Sequence, residues 1–147
     1  SLEALPIAEN KAWPEHTRVL LVEDNMFNQE VAILILEDIG ITADIAGNGL
    51  EAIDALKKGT LDKNPYTLVL MDCQMPEMDG YQASQEIRAG NAGDTNAGIP
   101  IVAMTANAMK GDKEKCLDAG MSDYLSKPVD AEELEKIMRK WLQPVLI

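Results

Sequence analysis

Two kinds of apolar pattern alternate along the chain. Short runs are apolar without interruption: Arg18 to Val22 (RVLLV), Tyr66 to Met71 (YTLVLM) and Ile101 to Met104 (IVAM). Runs of that length, rich in Val, Ile and Leu, predict strands buried on both faces. Ile41 to Ala46 and Asp123 to Ser126 read as two further strands. Between them the apolar positions recur at helical intervals. Val31, Leu34, Ile35 and Ile39 share such a spacing, and Gly40 stops it. Asn48 with Glu51, and Asp79 with Gln82, have the spacing of a capping box. They open helices that run to about Lys58 and about Arg88. Ala89 to Pro100, rich in Gly, Ala and Asn, reads as a flexible loop. A fourth helix spans about Met109 to Ala119 and ends at Gly120; Asp130 caps a last amphipathic helix through about Trp141.

The result is strand then helix, five times over. That alternation implies a parallel sheet with helices on both faces, a doubly wound α/β domain. The strand order 2-1-3-4-5 is expected because it is the flavodoxin-like order of this class. Residues 1–16 carry two prolines and no sustained period, so they read as a leader or linker. The domain is expected over 17–143, with a tail at 144–147.

Composition narrows the function. The 147 residues are 46% hydrophobic, enough for an ordinary core. A formal charge of −12 argues against a nucleic-acid partner, which needs clustered Lys and Arg, and against a polybasic membrane contact. Cys73 and Cys116 form no CxxC and no metal-ligand spacing. So few cysteines fit a reducing compartment, and Cys73 reads as a small packing residue. No apolar run reaches membrane-spanning length and the N-terminus shows no signal-peptide pattern, so a cytoplasmic location is expected.

The strand ends carry the chemistry. Strand one ends in Glu23-Asp24, strand three in Asp72, strand four in Thr105, and strand five leads into Lys127. In an open parallel sheet those ends line one edge, where ligands bind. Three carboxylates brought together cannot all stay ionised without a counter-charge. A hard divalent cation such as Mg²⁺ supplies it, since it favours one or two carboxylates, waters and a phosphate oxygen. Any one of these acids alone is more simply a solvated residue at a loop start. Three at adjacent strand ends, with a lysine and a threonine at two others, point to a site.

LVEDN (Leu21 to Asn25), LMDCQMPEMDG (Leu70 to Gly80), MTANAM (Met104 to Met109) and DYLSKP (Asp123 to Pro128) occur in that order. From about Thr17 to Trp141 the chain resembles the receiver domains of two-component response regulators. The resemblance implies that Asp72 is the nucleophile that becomes an acyl phosphate, in a transfer the domain catalyses on itself. Glu23 and Asp24, with Asp72 and the backbone carbonyl of Gln74, would hold Mg²⁺. Lys127 would pair with the phosphoryl oxygens, and Pro128 would fix the turn after it. The Thr105 hydroxyl and the Ala106 backbone N–H would bind the phosphoryl group. Tyr124 would follow Thr105 as a switch, unless it is a core or interface tyrosine. The implied donor is a phosphohistidine on a histidine kinase or a histidine phosphotransfer domain. The wording EDNMFNQEV (Glu23 to Val31) is similar to receivers fused to hybrid sensor kinases, whose parent chain can be membrane-anchored. A stand-alone regulator is the other reading.

Two rivals fit less well. Phosphatases of the haloacid-dehalogenase type carry DxD at their nucleophile, whereas Gln74 stands two residues after Asp72. A flavodoxin-like carrier of FMN needs a phosphate-cradling loop after strand one, and two acids open that loop here. His16, the one histidine, lies in the leader and is a poor donor candidate. Met71, Met75, Met78, Met104 and Met109 read as packing and loop residues.

Overall fold

The computed structural model describes residues 11–106, 110–142 and 145–146. Strands β1 (Val19–Val22), β2 (Ala43–Ala46), β3 (Leu68–Asp72), β4 (Ile101–Thr105) and β5 (Asp123–Ser126) form one parallel sheet in the order β2-β1-β3-β4-β5. Helices α1 (Met26–Asp38), α2 (Gly49–Leu61), α3 (Gly80–Arg88), α4 (Lys110–Asp118) and α5 (Ala131–Leu142) connect and cover it. This is the order expected from the sequence.

The apolar runs have two addresses because successive strand side chains point to opposite faces. Leu20 and Val22 of β1, with Val69 and Met71 of β3, join a core with Leu56 of α2, Ile87 of α3 and Cys116 of α4. Val19, Leu21, Leu68 and Leu70 turn the other way, toward Leu36 of α1 and Leu134 and Met138 of α5. β1, β3 and β4 are buried at every position, as their uninterrupted apolar runs require. The edge strands β2 and β5 expose part of their length.

The predicted caps are present. Asn48 accepts from the Glu51 N–H at 2.9 Å, Asp79 from the Gln82 N–H at 2.8 Å and Asp130 from the Glu133 N–H at 3.1 Å. The return half of the first box is shifted by one residue, since Glu51 accepts from the N–H of Gly47.

Several expectations change. β2 begins at Ala43 and not at Ile41. Gly40 turns the chain with φ of 89°, and the Ile41 N–H closes onto the Leu36 carbonyl at 2.9 Å, so Ile41 belongs to the helix cap. Leu34 is 67% exposed, because α1 is apolar around most of its girth and spacing alone could not say which stripe faces the sheet. The loop 89–100 is anchored. The Asn96 amide is buried and donates to the carbonyls of Leu56 and Ala92 and to the Thr60 hydroxyl. Arg88 also crosses to this loop, donating to the carbonyls of Ala97 and Ile99. The start of the fourth helix at Met109 lies outside the described residues, as does the leader before residue 11.

The end of the leader is tied to the domain. Lys11–Ala12 pairs antiparallel with Val145–Leu146. The Trp13 indole donates to the Ile39 carbonyl at 2.7 Å, and the Arg139 guanidinium lies 5.2 Å from its ring centre. A single aromatic anchor has no period, which is why the pattern shows nothing there.

Candidate functional site

The carboxyl ends of β1, β3, β4 and β5 bring the polar residues together. The Glu23 N–H continues the ladder by donating to the Ala46 carbonyl, which turns the Glu23 side chain into the site. That side chain is buried and fully engaged. Oε2 accepts from the Asn25 N–H at 3.1 Å, and Oε1 lies 2.9 Å from the Lys127 ammonium. The Gln29 amide donates to the Glu23 carbonyl at 2.7 Å and fixes the backbone behind it. Asp72 closes β3 and is only 4% exposed. Its Oδ1 accepts from the Gln74 N–H at 3.2 Å and lies 3.0 Å from the Lys127 Nζ. Asp24 is exposed at the mouth. One carboxylate oxygen from each of Glu23, Asp24 and Asp72 lies within 4.8 Å of the other two.

Lys127 is the counter-charge. Burial pushes its pKa down, but hydrogen bonds and attraction from Glu23 and Asp72 outweigh burial and hold it above the ordinary value. It stays charged. Its backbone N–H donates to the Thr105 carbonyl at 2.8 Å, and a cis peptide bond joins it to Pro128. Thr105 is buried at the end of β4. Met104 pairs with Asp72 in the sheet, and Thr105 pairs with Ser126, so the threonine sits between the carboxylate and the lysine strand.

The donor set suits a hard cation: three carboxylates, with oxygen ligands and no buried sulfur or imidazole among them. A buried acid flanked by a fixed ammonium and two further acids can act as a nucleophile toward an electrophilic phosphorus once its charge is balanced.

The response regulator receiver domain family matches residues 19–139. The chain is a response regulator receiver domain. Such domains act in two-component phosphorelay signal transduction. Hybrid signal transduction histidine kinase B of Dictyostelium discoideum is 42% identical over 125 residues, which is 80% of this chain and 6% of that protein. Sensor protein GacS of Pseudomonas syringae pv. syringae is 42% identical over 124 residues, 84% of this chain and 13% of that one. The receiver domain therefore spans a small part of the curated relatives it matches.

Among solved structures, the receiver domain of a Pseudomonas aeruginosa sensor histidine kinase is 40% identical, with a TM-score of 0.75. The match covers 86% of this chain and 98% of that one, and that structure has magnesium coordinated in its active-site cleft. The receiver domain of Saccharomyces cerevisiae Ssk1, in complex with the histidine phosphotransfer protein Ypd1, is 33% identical. Its TM-score is 0.76, covering 90% of this chain and 92% of that one.

Gln74 meets the acids through its backbone N–H, which donates to Asp72. Gln74 and Ala106 are exposed, at the starts of the loops after β3 and β4. Tyr124 is half-buried, pairs with Ala103 in the sheet and lies under the Lys113 ammonium, 5.2 Å from its ring centre. Ala103 and Thr105 share a sheet face by alternation, so Tyr124 is on the Thr105 side. His16 is exposed in the leader. Met71 and Met104 are buried, and Met75 and Met78 pack against the core; Met109 lies outside the described residues.

Sequence reasoning missed three supporting positions. Asn25 both caps α1, accepting from the Asn28 N–H at 3.0 Å, and donates its own N–H to Glu23. Gln29 is invisible from spacing because it acts on a backbone carbonyl. Gly80 is required by contact: a Cβ there would lie 2.2 Å from the Asp72 carbonyl oxygen. Among the described residues, no helix is long and apolar enough to cross a membrane.

Proposed function

We propose that Asp72 accepts a phosphoryl group from a phosphohistidine, and that this receiver serves a hybrid sensor kinase on the cytoplasmic side. The observation that carries the reading is the Asp72 carboxylate itself. It is buried at the end of β3, 3.0 Å from Lys127, with oxygens of Glu23 and Asp24 within 4.8 Å. Glu23, Asp24, Asp72 and the Gln74 carbonyl hold Mg²⁺, which when bound neutralises charge on the phosphoryl oxygens. Asp72 supplies the attacking oxygen and needs no proton removed. Lys127 moves its hydrogen bonds from the acids to the phosphoryl group, adding fixed positive charge where negative charge develops. The Ala106 N–H and the Thr105 hydroxyl take the remaining oxygens.

The donor needs a landing surface beside the cleft. Phe27 lines a small cavity with Glu23 and Lys127, and Phe27, Met26 and Leu34 are 72%, 74% and 67% exposed. Exposed apolar side chains on α1, one of them lining a cavity with site residues, suit an apolar face of a phosphohistidine protein. Substituting Phe27 and Leu34 together by Ala slows transfer from a phosphorylated histidine phosphotransfer domain by about tenfold. Labelling by acetyl phosphate, which needs no docking surface, keeps its rate. Both are read by quench-flow and gel autoradiography. Equal transfer rates in the two proteins sink the docking surface; absence of any transfer to the unmodified domain sinks the phosphoacceptor reading.

Phosphorylation is read out by a shift in populations. Thr105 and Lys127 move toward the phosphoryl group, the loop after β4 follows, and Tyr124 fills the space Thr105 leaves. A ligand shifts such an equilibrium only by its differential affinity for the two states. Thr105→Ala therefore still accepts phosphate but loses most of the response. Amide NMR with and without beryllofluoride, a phosphoryl mimic, checks this; identical shifts across 110–127 in both proteins refute the coupling.

A further inference from the structure

The two cysteines play no part in the reaction above, and the fold puts them in contact. Cys73 directly follows Asp72; Cys116 lies on α4. Their sulfurs are 4.0 Å apart although 43 positions separate them, and both thiols are free. We propose that Cys73 and Cys116 form a reversible intramolecular disulfide that clamps α4 to the phosphoacceptor loop and blocks the response to phosphorylation.

The two sides of the contact are held very differently. The Cys73 backbone is anchored, its N–H donating to the Met104 carbonyl at 3.0 Å and its carbonyl accepting from the Gly80 N–H at 3.1 Å. Along residues 111–118 of α4, Cys116 alone is buried. Along these residues Cys116 is therefore the point at which the helix enters the core, where its sulfur meets the one beside the phosphoacceptor. A helix attached by so little apolar surface has low local stability and can shift. A covalent bond at that one point removes the freedom. The sulfurs need to close by about 2 Å to reach bonding distance, within reach of a side-chain rotation or a small slide of α4.

Tyr81 packs against the core that holds both thiols, and it also lines a groove between α3 and α4 with Gln85, Glu114 and Lys115. The Lys115 ammonium sits 4.3 Å from the Tyr81 ring centre and lines the same groove. Both thiols are buried, so a reagent reaches them only when α4 or Tyr81 is displaced.

The oxidant is a small-molecule disulfide of the glutathione class. One protein sulfur attacks it, forming a mixed disulfide and releasing one small thiol. The second protein sulfur attacks the first, forming the Cys73–Cys116 bond and releasing the other small thiol. The two cysteines together lose two electrons, the reagent gains them, and both cysteine protons leave on the released thiols. Excess reduced thiol reverses both steps.

The consequence for signalling rests on the phosphoacceptor reading; the bond itself does not. The test incubates the native chain with oxidised glutathione, then blocks remaining thiols with an alkylating reagent. Intact mass shows the loss of two hydrogen atoms with no alkylation, and peptide mapping finds Cys73 joined to Cys116. Cys73→Ser and Cys116→Ser each give a glutathione adduct on the remaining thiol instead. Beryllofluoride with Mg²⁺ shifts the amide resonances of 110–126 in reduced protein, and the shifts are lost in oxidised protein and return with dithiothreitol. Glutathione adducts without the internal bond, or a bond formed only after denaturation, overturn the proposal. So does oxidised protein that keeps the full shifts. A reduced protein that neither shifts nor takes up phosphate overturns the clamp and the phosphoacceptor reading together, whatever the mass shows.

Discussion

Asp72→Asn abolishes uptake of a phosphoryl group from acetyl phosphate and Mg²⁺, lowering the rate by more than about a thousandfold. The substitution is nearly isosteric, so the fold survives it. What changes is the attacking group: an amide oxygen carries no full negative charge and its product would be unstable. No neighbouring acid can take over. Glu23 is held by the Asn25 N–H on one oxygen and by Lys127 on the other. Asp24 is exposed at the mouth, and Lys127 clamps Glu23 and Asp72. Intact-mass spectrometry is the measurement. The unsubstituted domain gains one phosphoryl group, and Asp72→Asn gains none. Full labelling of Asp72→Asn would put the nucleophile elsewhere and end the assignment.

The strand ends were legible in the sequence for a physical reason. A strand buried on both faces must be apolar throughout, so the first polar residue after it marks where the sheet meets solvent. Glu23, Asp72 and Thr105 stand at such breaks after RVLLV, YTLVLM and IVAM. Parallel strands then put every break on one edge. The proximity of Glu23, Asp24, Asp72 and Lys127 follows from topology and not from any one motif. Other features have no such signature. Gly80 matters because its missing Cβ leaves room for the Asp72 carbonyl, a contact across a loop. Leu34 could not be assigned to a face because α1 has apolar residues on several. Asn96 looks like any loop asparagine until its amide is found buried against Leu56, Thr60 and Ala92. Cys73 was legible as a packing residue; its partner Cys116 was not, since only the crossing of α4 over the sheet joins them.

Exchanging Glu23 for Gln and Asp24 for Asn together weakens Mg²⁺ binding by about a hundredfold or more, equivalent to about 2.8 kcal/mol. The argument is one of charge. Glu23, Asp24 and Asp72 carry three negative charges and Lys127 one positive charge, which leaves two negative charges in the cluster. A divalent cation balances that excess. The double variant keeps oxygen atoms at the same places but leaves Asp72 and Lys127 to neutralise one another, so nothing in the cluster calls for a further cation. Amide oxygens are weaker ligands than carboxylates, and Mg²⁺ gives up its waters reluctantly to either. Lys127 reports the same change. It is held above its ordinary pKa by the hydrogen bonds it donates to Glu23 and Asp72 and by their charge, acting against burial, so losing the Glu23 charge brings its pKa down. Titration calorimetry with MgCl₂ measures the affinity, and thermal unfolding confirms that the variant is folded. Removing metal with a chelator reproduces the defect in the unsubstituted domain, halting labelling by acetyl phosphate. If the folded double variant binds Mg²⁺ as tightly as the original, the cation is held by other residues and the acidic pair has another purpose.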